Sequence, residues 1–257
     1  MLFTSYAFLG FIAVLFLLYY LIPKRMQWGL LLIASYLFYF IAGPFWLLYL
    51  LTTTATTYFA AIQIEKTGLQ QKAYIKANKE QLSGEERKAY KEKMKGRQRS
   101  WMLACLLLNL GILAVVKYTN FAISNINGLL RMTGSAASID FWDIALPMGI
   151  SFYTFQALGY LIDVYRGTAA AEKNPFRLAL FVSFFPQLIQ GPISRFGDLA
   201  RSLYEEHVFE AKRFCYGLER ILWGYFKKLV IADRILTAVN MIIRDAETYR
   251  GVYVFVG

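Results

Sequence analysis

The segment Pro147–Gly167, PMGISFYTFQALGYLIDVYRG, is apolar enough for a membrane interior, yet it carries Gln156, Asp163 and Arg166. An amide, a carboxylate and a guanidinium are each costly to bury without partners, and inside hydrocarbon such groups mark function by default. On a helix advancing about 100° per residue, Gly149, Tyr153, Gln156, Tyr160 and Asp163 follow at steps of three or four and share one narrow face. Phe155, Leu158, Leu161, Ile162 and Tyr165 take the remaining faces. Arg166 follows Asp163 at i,i+3, a spacing at which an ion pair can form. A second amide pair, Gln187 and Gln190, stands at the same spacing just before Gly191-Pro192, with Arg195 beyond it.

Two readings fit such a stripe. The mechanical one is interhelical glue: glycine permits close approach, while amides and phenols hydrogen-bond the neighbouring helix. The chemical one is a cavity wall, because five aligned positions exceed what joining two helices requires. Two amide-bearing faces beside a broken helix lead to the expectation of a polar tunnel. The same stripe would also suit a transporter that passes a polar solute without chemistry, and a non-catalytic membrane scaffold is a third reading. No nucleophile–base pair, phosphate-cradling glycine loop, metal-ligand cluster or serine-hydrolase elbow is found.

The elements that must hold these residues are membrane helices. The 257 residues are 57% hydrophobic and 17% aromatic, with 18% charged and a mean hydropathy of +0.40. Soluble domains run to about 45–50% apolar and about 25% charged. Candidate spans are Tyr6–Ile22, Met26–Ala42, Phe45–Ile64, Trp101–Val116 and Leu146–Tyr165, each near the roughly 17–25 residues that cross a bilayer. Phe176–Gln190 is apolar but interrupted by Pro186, as in a broken or re-entrant helix. The expected fold is an all-α, polytopic transmembrane bundle, one integral domain over residues 1–257 with a basic loop at 65–100. Cys105 and Cys215 are read as small buried hydrophobes rather than a disulfide.

The net charge of +11 is gathered rather than spread. Lys66–Arg99 holds eight lysines and three arginines against four glutamates, a surplus of seven. That pattern excludes nucleic acid as the natural partner and marks a cytoplasmic loop by the positive-inside tendency. Thr119–Ala145 then falls outside, and Asp163 and Arg166 near the inner end of their helix. Ser83-Gly84-Glu85-Glu86 has capping-box spacing ahead of Arg87–Lys95, with Gly96 as the expected stop. The loop is expected to lean on anionic lipid or to receive an anionic donor. Leu222–Ile243 is apolar but carries Lys227, Lys228, Asp233 and Arg234, which suits an interfacial helix or one wedged into a bundle.

Pro147–Gly167, the following Asn174-Pro175 and SFFPQLIQGPISRF (Ser183–Phe196) together resemble the membrane-bound O-acyltransferase family. The nearest branch is that of the alginate and cell-wall polysaccharide O-acetylation proteins. LFTSYAFLGF and LLLIASYLFYF near the start resemble it too, so the likeness runs over nearly the whole chain. It implies a ring of helices around a tunnel in the plasma membrane. An acyl group, acetyl in this branch, would arrive on a cytoplasmic thioester such as acetyl-coenzyme A or an acyl carrier. It would leave on an extracellular polysaccharide or on a partner extracellular acetyltransferase. Tyr153, Gln156, Tyr160, Gln187 and Gln190 would then contact donor or acceptor. Asp163, Arg166 and Arg195 would shape the inner mouth. Members of the family also carry a histidine in a later membrane segment, after an acidic-Phe-Ser-Gly-Tyr motif, and neither occurs here. His207, in Tyr204–Phe209, lies in a polar connecting stretch. The chain is therefore expected to be an N-terminal portion with no catalytic residue of its own, inactive by itself.

The topology has a direct check. With Cys105 and Cys215 replaced by alanine, a cysteine placed at Ser83 should react in intact cells only with a membrane-permeant reagent. Labelling by an impermeant maleimide would invert the assignment.

Overall fold

The computed structural model describes residues 5–133, 137–142, 146–188 and 191–244. Helices carry the fold, and no strand occurs among the described residues. They are α1 (Tyr6–Leu21), a 3₁₀ turn at Lys24–Met26, α2 (Gln27–Ala42), α3 (Trp46–Ala77), α4 (Gly84–Met132), α5 (Ile150–Arg166), α6 (Pro175–Ser183), α7 (Phe185–Leu188), α8 (Phe196–Tyr204), α9 (Ala211–Phe226), a π-helical stretch at Lys227–Ala232, and α10 (Asp233–Arg244). Lys24–Ala42, α3 and α4 are long and apolar enough to cross a membrane, while α1, with 16 residues, is apolar but shorter.

The described residues fall into two compact units. The first covers Leu17–Glu206 and is built around α3, which packs on α2, α4, α5 and α6. The side chains buried on α3 are mostly small: Thr53, Thr54, Thr57, Ala60, Ala61 and Thr67, with Leu50 and Ile64. Small residues let helices approach closely where lipid supplies no hydrophobic drive between them. Their hydroxyls are discharged locally. Thr54 and Thr67 donate to the Leu50 and Gln63 carbonyls one turn back, at 2.8 and 2.7 Å. Asn109 of α4 donates to Thr56 at 3.1 Å and to the Cys105 carbonyl at 2.9 Å. The second unit comprises, among the described residues, 5–16 and 207–244. Within it Phe16 lies 6.3 Å from the Phe209 ring and 5.1 Å from that of Phe214. No residue of α9, the π stretch or α10 is buried. Cys215, on α9, is accordingly exposed, contrary to its reading as a buried hydrophobe, whereas Cys105 is buried.

Helix lengths depart most from the sequence expectation. The basic segment is a helical hairpin rather than a separate loop helix, because α3 runs on to Ala77 and α4 starts at Gly84. The capping box is present: Ser83 Oγ accepts from the Glu86 amide at 3.2 Å, and the Ser83 amide donates to the Glu86 carboxylate at 2.8 Å. Those bonds, the backbone one foremost, hold the Glu86 carboxyl below its ordinary range. A carboxyl depressed in the folded state stabilises above its unfolded pKa, so the box works at neutral pH and is lost on acidification. Gly96 does not stop the helix. A helical glycine costs only about 1 kcal/mol relative to alanine, and the packing of the following turns outweighs that. α4 also continues through most of the expected outer loop to Met132. There Asn120 and Asn127 each exchange two hydrogen bonds with the backbone of Trp142 and Ile139.

The break expected in Phe176–Gln190 is present, but at Phe184. The ring of Pro186 would clash with the carbonyl four residues back, so α6 cannot run through it. Pro186 instead takes the second position of α7, where an amide would lack an intrahelical partner anyway. Gly149, the N-cap of α5, has φ +70°, and a Cβ built there would lie 2.0 Å from the Leu188 carbonyl oxygen. Gly167, the C-cap, has φ +77° but open space around it. Gly149→Ala should therefore abolish most folded protein in size-exclusion profiles of detergent extracts. Gly167→Ala should lose only about 1–2 kcal/mol, the left-handed backbone cost. Equal behaviour of the two would show that the Leu188 contact does not constrain the fold.

Candidate functional site

The face of α5 read from spacing is buried, with Tyr153, Gln156 and Tyr160 1%, 4% and 1% exposed, but so are Leu158 and Leu161, which spacing put on the remaining faces. α5 packs on α3, α4, α6 and α7, so the stripe faces protein rather than lipid. Gln156 donates to the Phe181 carbonyl of α6 at 2.8 Å, an interhelical bond that spacing alone did not reveal. The Tyr153 ring stands T-shaped against Tyr39 of α2, centroids 6.3 Å apart. The Tyr39 hydroxyl donates to the Met148 carbonyl at 2.9 Å, while the Tyr153 hydroxyl is buried without a hydrogen-bond partner.

Around the helix break, Gln187 donates to Ser194 Oγ at 2.8 Å, but its Oε1 is buried and unpartnered, as is Ser183 Oγ. A buried polar atom left unsatisfied costs about 1–3 kcal/mol. Tyr153, Ser183 and Gln187, on α5, α6 and α7, thus keep hydrogen-bonding capacity that the protein does not use. Gln190 lies outside the described residues.

At its other end α5 meets the segment 167–174, which is pinned from four sides. Tyr160 Oη accepts from the Glu172 amide at 2.8 Å, Glu65 of α3 accepts from the Ala171 amide at 3.0 Å, and Tyr58 donates to the Lys173 carbonyl at 2.9 Å. The Asp163 carbonyl accepts from the Thr168 and Ala169 amides at 3.0 and 3.3 Å. Asn174 then caps α6 by accepting from the Phe176 amide at 3.0 Å, with Pro175 at the first position. This segment, with Phe196 and Gly197, lines a recess of about 430 Å³. The Tyr160 ring packs 4.6 Å from that of Phe196, and so links the stripe to the recess.

No ion pair joins Asp163 to Arg166; the pairs among the described residues are Arg201–Glu205, Arg213–Glu210 and Lys228–Asp233. The Thr168 hydroxyl turns onto Asp163 instead, and Arg166, the last residue before the left-handed Gly167, is exposed. Arg195 is exposed as the N-cap residue of α8. His207 is half-buried in the connection between α8 and α9. Sequence reasoning missed Tyr39, Tyr58 and Glu65. Glu65 alone carried a signal, as a carboxylate closing the apolar run of α3.

Known proteins give the arrangement its context. The chain is 34% identical to the probable alginate O-acetylase AlgI of Pseudomonas syringae pv. tomato over 236 residues, 91% of this chain and 40% of that protein. It is 32% identical to the probable alginate O-acetylase AlgI of Azotobacter vinelandii over 91% of this chain and 42% of that one. A peptidoglycan O-acetyltransferase of Helicobacter pylori is 28% identical over 79% of this chain and 38% of its own length. These likenesses support a place among O-acetylation proteins of the membrane-bound O-acyltransferase type. The chain spans about two fifths of the length of these relatives. No family model matches it, and no solved structure does.

The Gln156 bond predicts a structural penalty. Gln156→Ala leaves the buried Phe181 carbonyl unpaired, a loss of about 1–3 kcal/mol. In a chain of this size that lowers the melting temperature by several degrees. An unchanged melting temperature in detergent would show that the α5–α6 bond is dispensable to the fold.

Proposed function

We propose that this chain forms the donor and acceptor passage of a membrane-bound polysaccharide O-acetyltransferase. The carrying observation is its similarity to alginate O-acetylases over 91% of its length, a stretch that includes α5 and the helix break. An acetyl group enters as a cytoplasmic thioester. An acceptor hydroxyl attacks the thioester carbonyl, the new C–O ester bond forms as the C–S bond breaks, and the thiolate leaves with the hydroxyl's proton balancing its charge.

In this reading α5 is the positioning element. The unpartnered Tyr153 hydroxyl and the free oxygens of Gln187 and Ser183 hydrogen-bond the passing group. Tyr160 belongs to the same wall, although it also holds the Glu172 amide. Asp163, Arg166 and Arg195 shape the inner mouth, where the exposed guanidiniums meet anionic donor groups. The lipid bilayer is the surrounding partner. The acceptor is a polysaccharide or an extracellular transferase that modifies one.

A sugar hydroxyl is a poor nucleophile, and a positioned base is worth about 10²–10⁴ in rate. The stripe's one carboxylate, Asp163, is engaged by the Thr168 hydroxyl at the inner end and its other polar groups are phenols and an amide, so in this reading residues 1–257 position substrates without moving the proton. Purified alone with labelled acetyl donor and polysaccharide, they are expected to give background counts. Fused in frame to the remaining three fifths of the Pseudomonas syringae relative, they should restore acetyl esters in cells lacking their own acetylase. In that fusion Tyr153→Phe deletes a hydroxyl that makes no hydrogen bond of ordinary geometry and interacts with the Tyr39 hydroxyl beside it. It should leave abundance unchanged and lower acetylation at least tenfold, about 1.4 kcal/mol. An abundant fusion without acetylation would overturn the assignment, and full activity in Tyr153→Phe would remove Tyr153 from the site.

A further inference from the structure

The hairpin of α3 and α4 carries the densest charge in the molecule, and the sequence left open whether lipid or another anion meets it. Its geometry decides between them. α3 is one unbroken helix from Trp46 to Ala77. At about 1.5 Å per residue, the 13 residues after Ile64 carry the chain about 20 Å past the apolar stretch. Gln98 of α4 donates to the Ile64 carbonyl at 3.0 Å, the Tyr74 and Tyr90 rings stack at 4.3 Å, and Arg87 donates to the Lys79 carbonyl near the tip. The hairpin is therefore a pair of helices tied from base to tip, continuing the spans. It cannot fold down onto headgroups without breaking both helices. Its outer half stands about 10–20 Å beyond the end of the apolar stretch, roughly one to two Debye lengths of about 8 Å each at physiological salt.

The cations are also sorted by side. Half-buried Gly68, Gln71 and Ile75 mark the face of α3 that meets α4, and Arg87, Tyr90, Met94 and Gln98 mark the facing side of α4. Relative to that seam, Lys72 and Lys76 (i,i+4) on α3 and Lys88, Lys91, Lys95 and Arg99 on α4 project to one flank by helical spacing. The Tyr74–Tyr90 stack, Lys93, Arg97 and Glu86 project to the other. All six cations of the basic flank are exposed, and none has a carboxylate within 4 Å among the described residues; Glu92 borders the flank without pairing. Unpaired like charges in two rows repel one another, and an opposite array relieves that repulsion.

We infer that this flank is a docking surface for the acidic face of a soluble protein, with two rows of lysine and arginine receiving carboxylates presented at helical spacing. Such a surface gives association rates and specificity that fall with salt.

The test uses the full chain in nanodiscs of neutral phosphatidylcholine. The probe is a fluorescein-labelled helical peptide with glutamates at i, i+4 and i+7, read by anisotropy at 50 and 300 mM salt. Lys76→Gln/Lys88→Gln/Lys95→Gln should weaken binding at least tenfold. Lys66→Gln/Lys93→Gln/Arg97→Gln removes the same charge from elsewhere on the hairpin and should weaken it less than threefold. Equal loss in the two triples, or no binding by the parent chain, would overturn the proposal. So would quenching of a bimane label on Gln81→Cys by nitroxide headgroups in anionic nanodiscs, which would make lipid the occupant.

Discussion

Inside a bilayer a polar atom has only protein to bond, and most of this chain's interior follows from that constraint. Threonines on α3 return their hydroxyls to their own backbone, Asn109 spends its amide on Thr56 and Cys105, and Gln156 spends its own on α6. Once these groups are satisfied, α3 can be lined with small side chains and still hold four neighbours. Some buried atoms stay unsatisfied, Asn109 Oδ1, Arg87 Nε and Arg177 Nε among them. Three others, on Tyr153, Ser183 and Gln187, belong to α5, α6 and α7, the elements on either side of the helix break.

The same constraint explains why the irregular backbone is so heavily pinned. The segment 167–174 joins a buried helix to a short one, and its amides and carbonyls are taken by Tyr160, Glu65, Tyr58 and Asp163. At the opposite end of α5, Gly149 lets the backbone pass against Leu188 where any side chain would collide. α5 is thus fixed at both ends as well as along its face. That rigidity suits the positioning role proposed for α5, since gain from orientation depends on holding groups still.

Helix length is the second organising quantity. At about 1.5 Å per residue, the 49 residues of α4 extend about 74 Å, more than twice the roughly 30 Å of a hydrocarbon core. Charge sorts the excess. The basic end, opened by the Ser83 capping box, pairs with the extension of α3. The asparagine-bearing end holds a strap of backbone at Ile139 and Trp142. One helix therefore ties together two regions that read as separate loops in the sequence.

Local properties were legible in the sequence. Composition gave the all-α membrane class, a period of three to four placed Tyr153, Gln156 and Tyr160 on one face, the serine–glutamate spacing located the start of α4, and Pro186 announced the break after α6. Where Gly96 was expected to end a helix, the local rule failed because its cost is small beside tertiary packing. What each stripe residue touches could not be read in advance. The deciding contacts join residues far apart in the chain, Tyr39 with Met148, Tyr58 with Lys173 and Glu65 with Ala171, at separations of 109, 115 and 106 residues. Periodicity fixes which side chains share a face, because that depends on backbone geometry within a few turns. Which of them are spent on the fold and which stay available to a substrate depends on what the opposing helix presents, and only the tertiary structure brings that helix into place.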